Sequence, residues 1–331
     1  MKSIKRIVAL VLCLGMITAF VACGDDNGGA SGESVTIGII QYVEHSSLDL
    51  AREGFIEALA DNGYKEGDSV TFDYQNAQAD TSNLSTISQR FVSDKVDMVL
   101  AIATPAAQAI LGKTETIPIL GTAITDYEAA NLIDSNNNPG GNMTGTSDMN
   151  PVSEQINLLM ELCPDVETVG IVYSSNEDNS ILQAQMASDA CEALGLSVEE
   201  GTVTTSNDVQ QVTASIASKV DAIYIPTDNV YSTSMPVVQE VCVDAGIPCV
   251  TGSVEMVTGG GFATLGISYH DLGYQTGEMA AKILKGEAEI AETPIEFSSE
   301  FEYIINGDLA EDLGITIPDK YADYVVHPSQ S

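Results

Sequence analysis

The chain has 331 residues and carries 48 Asp and Glu against 12 Lys and Arg, a formal net charge of −36. That balance excludes nucleic acid as an expected partner, because phosphate contacts need clustered Lys and Arg. His45, His270 and His327 stand at no metal-ligand spacing and the six cysteines match no zinc pattern, so no metal and no cofactor is expected.

Residues 1–22 read as a signal peptide: Lys2, Lys5 and Arg6 form a positive start, and an apolar run over 7–21 ends in small residues. The pentapeptide F-V-A-C-G (20–24) resembles a bacterial lipobox, with Phe20 where Leu is usual. Cys23 is then the expected lipidation site and 23–34 a lipidated, polar, Gly-rich tether. The chain is expected outside the cytoplasm, held to the bacterial cell membrane by its lipid.

The rest, about 300 residues, suits two domains. V-T-I-G-I-I (35–40) is a first strand, followed by an amphipathic helix over 47–62 with Leu48, Ala51, Phe55, Ile56 and Leu59 on one face. Strands over 70–74, 97–103 and 117–124 alternate with helices over 84–93 and 105–111. The second half repeats this order: strands 169–173, 196–202, 222–225 and 247–250, helices 180–194, 209–218 and 235–245. V-D-M-V-L-A-I-A-T-P (96–105) and V-D-A-I-Y-I-P-T-D-N (220–229) are matching strand ends, and aligning Asp97 with Asp221 sets Thr104 opposite Asp228. Open α/β sheets bind ligands beyond the carboxyl ends of their strands. Two such ends suggest two lobes facing one ligand.

The fold class expected is α/β, with two doubly wound parallel-sheet lobes joined by a multi-strand hinge. The N-terminal lobe comprises 35–141 plus 268–296, where the helix over 271–286 crosses back to complete it. The C-terminal lobe comprises 142–267 plus 297–331. Such a hinge closes by rigid lobe motion. Cys249 and Cys242 read as buried thiols, and no disulfide among Cys163, Cys191, Cys242 and Cys249 is assigned.

No nucleophile elbow, Walker loop or dinucleotide fingerprint follows a strand, which argues against an enzyme. A sugar-repressor-type regulator needs a helix-turn-helix ahead of Val35, where a signal peptide stands instead.

The chain resembles the bacterial ABC-transporter substrate-binding lipoproteins of the tryptophan/tyrosine transport type, with the type I periplasmic-binding-protein fold. The residues that carry the resemblance are A-T-P-A-A-Q-A (103–109), T-A-I-T-D (122–126), N-M-T-G-T-S-D-M-N-P (142–151), Y-S-S-N-E-D-N-S (173–180), Y-I-P-T-D-N (224–229) and L-G-Y-Q-T-G-E-M-A-A-K-I-L-K-G (272–286). It implies capture of a small solute, with aromatic amino acids the characterised ligands, and delivery to a permease and ATPase by a monomeric receptor. Alternatives are a receptor signalling to a membrane kinase, or an importer component for a nucleoside or branched-chain amino acid.

For an amino acid, Asp228 is the expected partner of the ammonium, with Thr227 and Asn229 beside it; a helix cap is its other reading. Arg52 and Arg90 read as helix-surface residues, so the carboxylate must use neutral donors. Thr104, at the start of a helix, is the candidate, also readable as an N-cap, with Ala123 and Thr125 as further donors. Ser174, Ser175 and Asn176, together with Asn179 and Ser180, would face the cleft from the second lobe, and Tyr42, Glu44, His45 and Ser46 from the first. Tyr42, Tyr173 or Tyr269 would stack on an aromatic side chain or form ordinary wall.

Overall fold

A computed structural model describes residues 34–330; the signal peptide, Cys23 and nearly all of the tether lie outside the described residues. Two sheets organise the chain. The first has strand order β11-β5-β4-β3-β1-β2, with β1 (Val35–Gln41), β2 (Val70–Asn76), β3 (Met98–Ile102), β4 (Ile119–Ile124), β5 (Met143–Ser147) and β11 (Glu296–Phe297), all parallel. The second has order β13-β12-β10-β9-β8-β6-β7, with β6 (Thr168–Ser174), β7 (Ser197–Val203), β8 (Ala222–Ile225), β9 (Cys249–Thr251), β10 (Ala263–Gly266), β12 (Glu302–Asn306) and β13 (Val325–Val326). Only the β10–β12 pairing is antiparallel.

The internal repeat is visible atom by atom. Asp97 accepts the Thr36 amide at 2.8 Å, and Asp221 accepts the amides of Glu167 and Thr168 at 3.0 and 2.9 Å. Each aspartate ties the start of a central strand to the first strand of its sheet. β3 and β8 are buried along their whole lengths, and their carboxyl ends run into Thr104 and Asp228 as the alignment expects.

Helix Tyr269–Leu284 packs on helix Ser46–Asp61 and joins the first core through Leu272, Met279, Ala280 and Ala281. Glycines allow the close approach: a Cβ on Gly273 would lie 1.9 Å from the Ala51 carbonyl oxygen, and one on Gly54 2.0 Å from that of His270. Leu309 and Ala310 pack on the second core. The chain passes between sheets three times, after β5, after β10 and after β11.

Pairing of β5 with β4 sets the first passage beyond Ser147, so Met143–Ser147 belongs to the first sheet and not, as the sequence suggested, to the second lobe, and Phe297, also expected there, pairs with Ser147 in the first sheet. M-T-G-T-S looks like a loop because it lacks an apolar run. It is nonetheless fully buried, with its hydroxyls satisfied: Thr144 donates to the Thr293 carbonyl at 2.7 Å, and Thr146 and Thr276 hydroxyls lie 2.7 Å apart. Among the described cysteines, Cys163, Cys191, Cys242 and Cys249 are free thiols, the last three buried.

Candidate ligand-binding site

The carboxyl ends of both sheets face each other, and backbone strain concentrates there. Gln78, Ala79 and Ala103 adopt positive φ (56°, 56° and 80°) on the segments leaving β2 and β3, and Ala123 (54°) does so at the irregular end of β4. Non-glycine residues rarely hold that conformation, and strain of this kind gathers at ligand sites.

Among the described residues, four side-chain hydrogen bonds join the lobes across the cleft. His45 Nε2 lies 3.0 Å from Asn229 Oδ1, and Ser47 donates to Glu255 Oε2 at 3.0 Å. Gln108 donates to Asp178 Oδ2 at 2.8 Å, and Gln183 Nε2 to Thr125 Oγ1 at 3.3 Å. Between them remain a void of about 20 Å³, lined in part by His45, Ala123, Asp148, Asp228 and Tyr269, and one of about 10 Å³ beside Thr104. Asn179 borders both. The lobes are therefore shut on one another. A larger space of about 500 Å³, beside the passage from β11 to β12, faces outward and contains none of these residues.

Asp228 is 2% exposed. Its Oδ2 accepts the Ser174 amide at 2.6 Å and its Oδ1 the Tyr231 amide at 2.8 Å, so it does cap the short helix Asn229–Ser232 while also bordering the void. Burial pushes its carboxyl up. Glu177 is wholly buried beside it; burial first, then the Asp228 charge, holds it well above the usual carboxylate range. Glu177 Oε2 accepts from the Asn229 side-chain amide, while Oε1 has no hydrogen-bond partner. Asp148 is buried as well, accepting from the hydroxyls of Thr125 (2.9 Å) and Tyr269 (2.7 Å), and burial raises it. Glu255 is raised by burial too, and His45 is lowered by it.

Thr104 begins helix Thr104–Leu111, but the cap position is Ala103 and the buried Thr104 hydroxyl has no partner. The N-cap role is thus not the one Thr104 plays. Asp126 and Asp178 border the same small void, each already accepting a bond, from the Ala129 amide and from Gln108.

Thr227, Asn229, Ala123 and Thr125 converge on the cleft, though the Thr227 and Thr125 hydroxyls are both engaged by Gln183. Tyr42 is buried near Glu177 and Asp228, and burial followed by their charges raises its phenol. Ser46 is exposed at an outer groove between the lobes.

Ser175 and Asn176 do not join the site. They are exposed and turn away, hydrogen-bonding the Val203 carbonyl at 3.3 Å and the Thr204 carbonyl at 3.2 Å, and Tyr173 likewise bonds Glu200. Asn179 and Ser180 face inward as expected, and Glu177 and Gln183 join them; Glu177, Gln183 and Glu255 were not legible from sequence reasoning. A signal existed: the buried face of helix Asp178–Ala193 carries Asn179, Ser180 and Gln183, at helical spacing, where an apolar stripe would be ordinary.

The family model for ABC transporter substrate binding protein matches residues 36–326. A tyrosine-binding protein of Clostridioides difficile (strain R20291) is 40% identical over 316 residues, covering 93% of this chain and 90% of that protein. A crystal structure of an ABC domain in complex with L-Trp from Streptococcus pneumonia shares 40% identity and a TM-score of 0.85, covering 88% of this chain and 100% of that one. A ligand-free, open structure of a substrate binding protein with adhesive properties from Clostridium difficile, also 40% identical and covering 88% and 99%, has a TM-score of 0.69. At equal identity, the chain superposes more closely on the L-Trp complex than on the open, ligand-free form.

Proposed function

The chain belongs to the family of ABC transporter substrate binding proteins, whose fold is the type I periplasmic-binding-protein fold, and we propose that it captures an aromatic amino acid, tyrosine or tryptophan. Such proteins work outside the cytoplasm. In this reading the protein is a single-chain carrier and not a catalyst, lipid-anchored through Cys23, and it hands its solute to the permease of an ATPase-driven importer.

The observation that carries the reading is the charge of the cleft. Asp148, Glu177 and Asp228 are buried around it, Glu255 is half-buried at its edge, and no Lys or Arg lines it among the described residues. Buried carboxylates need a compensating cation, and an ammonium supplies one. Asp228 and Asp148 receive it in this account. The solute carboxylate turns to the Thr104 hydroxyl and the amides that open helix Thr104–Leu111. Tyr42 and Tyr269 form the wall for the ring. The 40% identity to a tyrosine-binding protein and to an L-Trp complex supports the aromatic choice.

Thermal unfolding with panels of amino acids, nucleosides and sugars tests this. A ligand at about 100 times its dissociation constant adds about 2.7 kcal/mol. Stabilisation by Tyr, Trp or Phe is expected; a response confined to nucleosides or leucine would transfer the receptor to another solute.

A further inference from the structure

Glu177 and Asp228 are both buried and stand on either side of Asn229, whose side chain bonds Glu177 and whose helix Asp228 caps. Both reach the first turn of helix Asn229–Ser232: Glu177 Oε2 accepts from the Asn229 side-chain amide, and Asp228 Oδ1 from the Tyr231 amide. Glu177 Oε1 is buried and unpartnered.

The surroundings supply no compensating charge. From the first lobe come Tyr42, His45, Asp80 and Asp49, whose charge Arg52 already pairs at 2.9 Å; from the hinge, Asp148; from the second lobe, Asp178 and Glu255. His45 is the one base in this set. Burial favours its neutral form, and its Nε2 faces the Asn229 oxygen. A carboxylate pair in such a setting holds one negative charge and one proton.

We propose that the Glu177–Asp228 pair keeps a proton in the free protein and surrenders it to solvent when an ammonium enters the cleft, so that solute capture releases a proton and solute release takes one up. The step balances: the ligand's positive charge replaces that of the departing proton, and no bond other than O–H is broken. The proposal rests on the ammonium reading above. It makes Glu177 a residue that sets affinity through the protonation of its neighbour, whether or not it touches the solute. Because the complex binds fewer protons than the free protein, affinity falls as the medium acidifies, by about tenfold per pH unit below the free pair's upper titration.

Calorimetry of the purified protein with L-tyrosine and with L-tryptophan, at pH 7 in two buffers of unlike ionisation heat, reads the proton count. The wild type should release close to one proton per solute bound, and Glu177→Gln none. Equal heats in both buffers for the wild type would overturn the proposal. Carboxyl carbon NMR of glutamate-labelled free protein separates this from the solute reading. One glutamate should titrate near about 8 and vanish in Glu177→Gln. If that resonance is present while no aromatic amino acid binds, the proton pair stands and the solute assignment fails. If it is absent, the proposal fails whatever binds.

Discussion

Thr104 holds a buried hydroxyl that makes no hydrogen bond within the protein. An unpaired buried hydroxyl costs stability, so Thr104→Val should leave the free protein's melting temperature unchanged or raise it, while weakening solute binding about fivefold, roughly 1 kcal/mol. A binding constant unmoved by that change would remove Thr104 from the site. Asp228 has two jobs, cap and counter-charge; Asp228→Asn removes the charge and keeps an acceptor for the Tyr231 amide, at the loss of the bond from the Ser174 amide. Affinity should fall by about 2–5 kcal/mol and folding stability by the smaller amount of one backbone hydrogen bond, about 1 kcal/mol. An equal loss of folding and binding would mean that the residue acts only as a cap. Residues of this kind were partly legible: the strand ends exposed Thr104 and Asp228, because buried parallel strands announce where their loops begin. The loop after β6 misled, since the backbone turns Ser175 and Asn176 toward β7 and Glu177 inward. No residue-type preference reports such a turn.

At the scale of elements, alternation of strands and helices and the repeat of Asp97 in Asp221 revealed both sheets and their equivalent centres. Short polar strands escaped. β5 has no apolar run, and its burial is decided by helix Tyr269–Leu284, more than a hundred residues away. That helix is in turn positioned by contact with helix Ser46–Asp61, where Gly273 meets the Ala51 carbonyl. Gly273→Ala has no room for its methyl and should cost about 3 kcal/mol or more, read as a lower melting temperature. Gly63→Ala, where a Cβ meets nothing within 4 Å but φ is +95°, tests backbone strain alone and should cost about 1 kcal/mol. Equal losses from the two would refute the close packing.

For the whole molecule, Asp148, Glu177, Asp228 and Glu255 all bind protons more tightly folded than unfolded, with burial the first cause in each. Their contribution is fully present below the ordinary carboxylate range and is lost as pH rises through the raised values. The free protein should therefore melt at lower temperature at pH 8 than at pH 5.5, and saturating solute should narrow that gap. A free protein that gains stability over this interval would contradict the burial of the four acids. The hydrogen bonds between His45 and Asn229 and from Ser47 to Glu255 hold the lobes shut. The central claim is that an aromatic amino acid occupies the space these contacts enclose. The chain contains no tryptophan, so the indole emission of added L-tryptophan reports only the ligand. Titration of the protein into L-tryptophan should give a saturable blue shift, reversed by excess L-tyrosine and absent with Asp228→Asn. An emission spectrum that stays that of tryptophan in water at every protein concentration, or a shift untouched by L-tyrosine and retained by Asp228→Asn, would contradict the account.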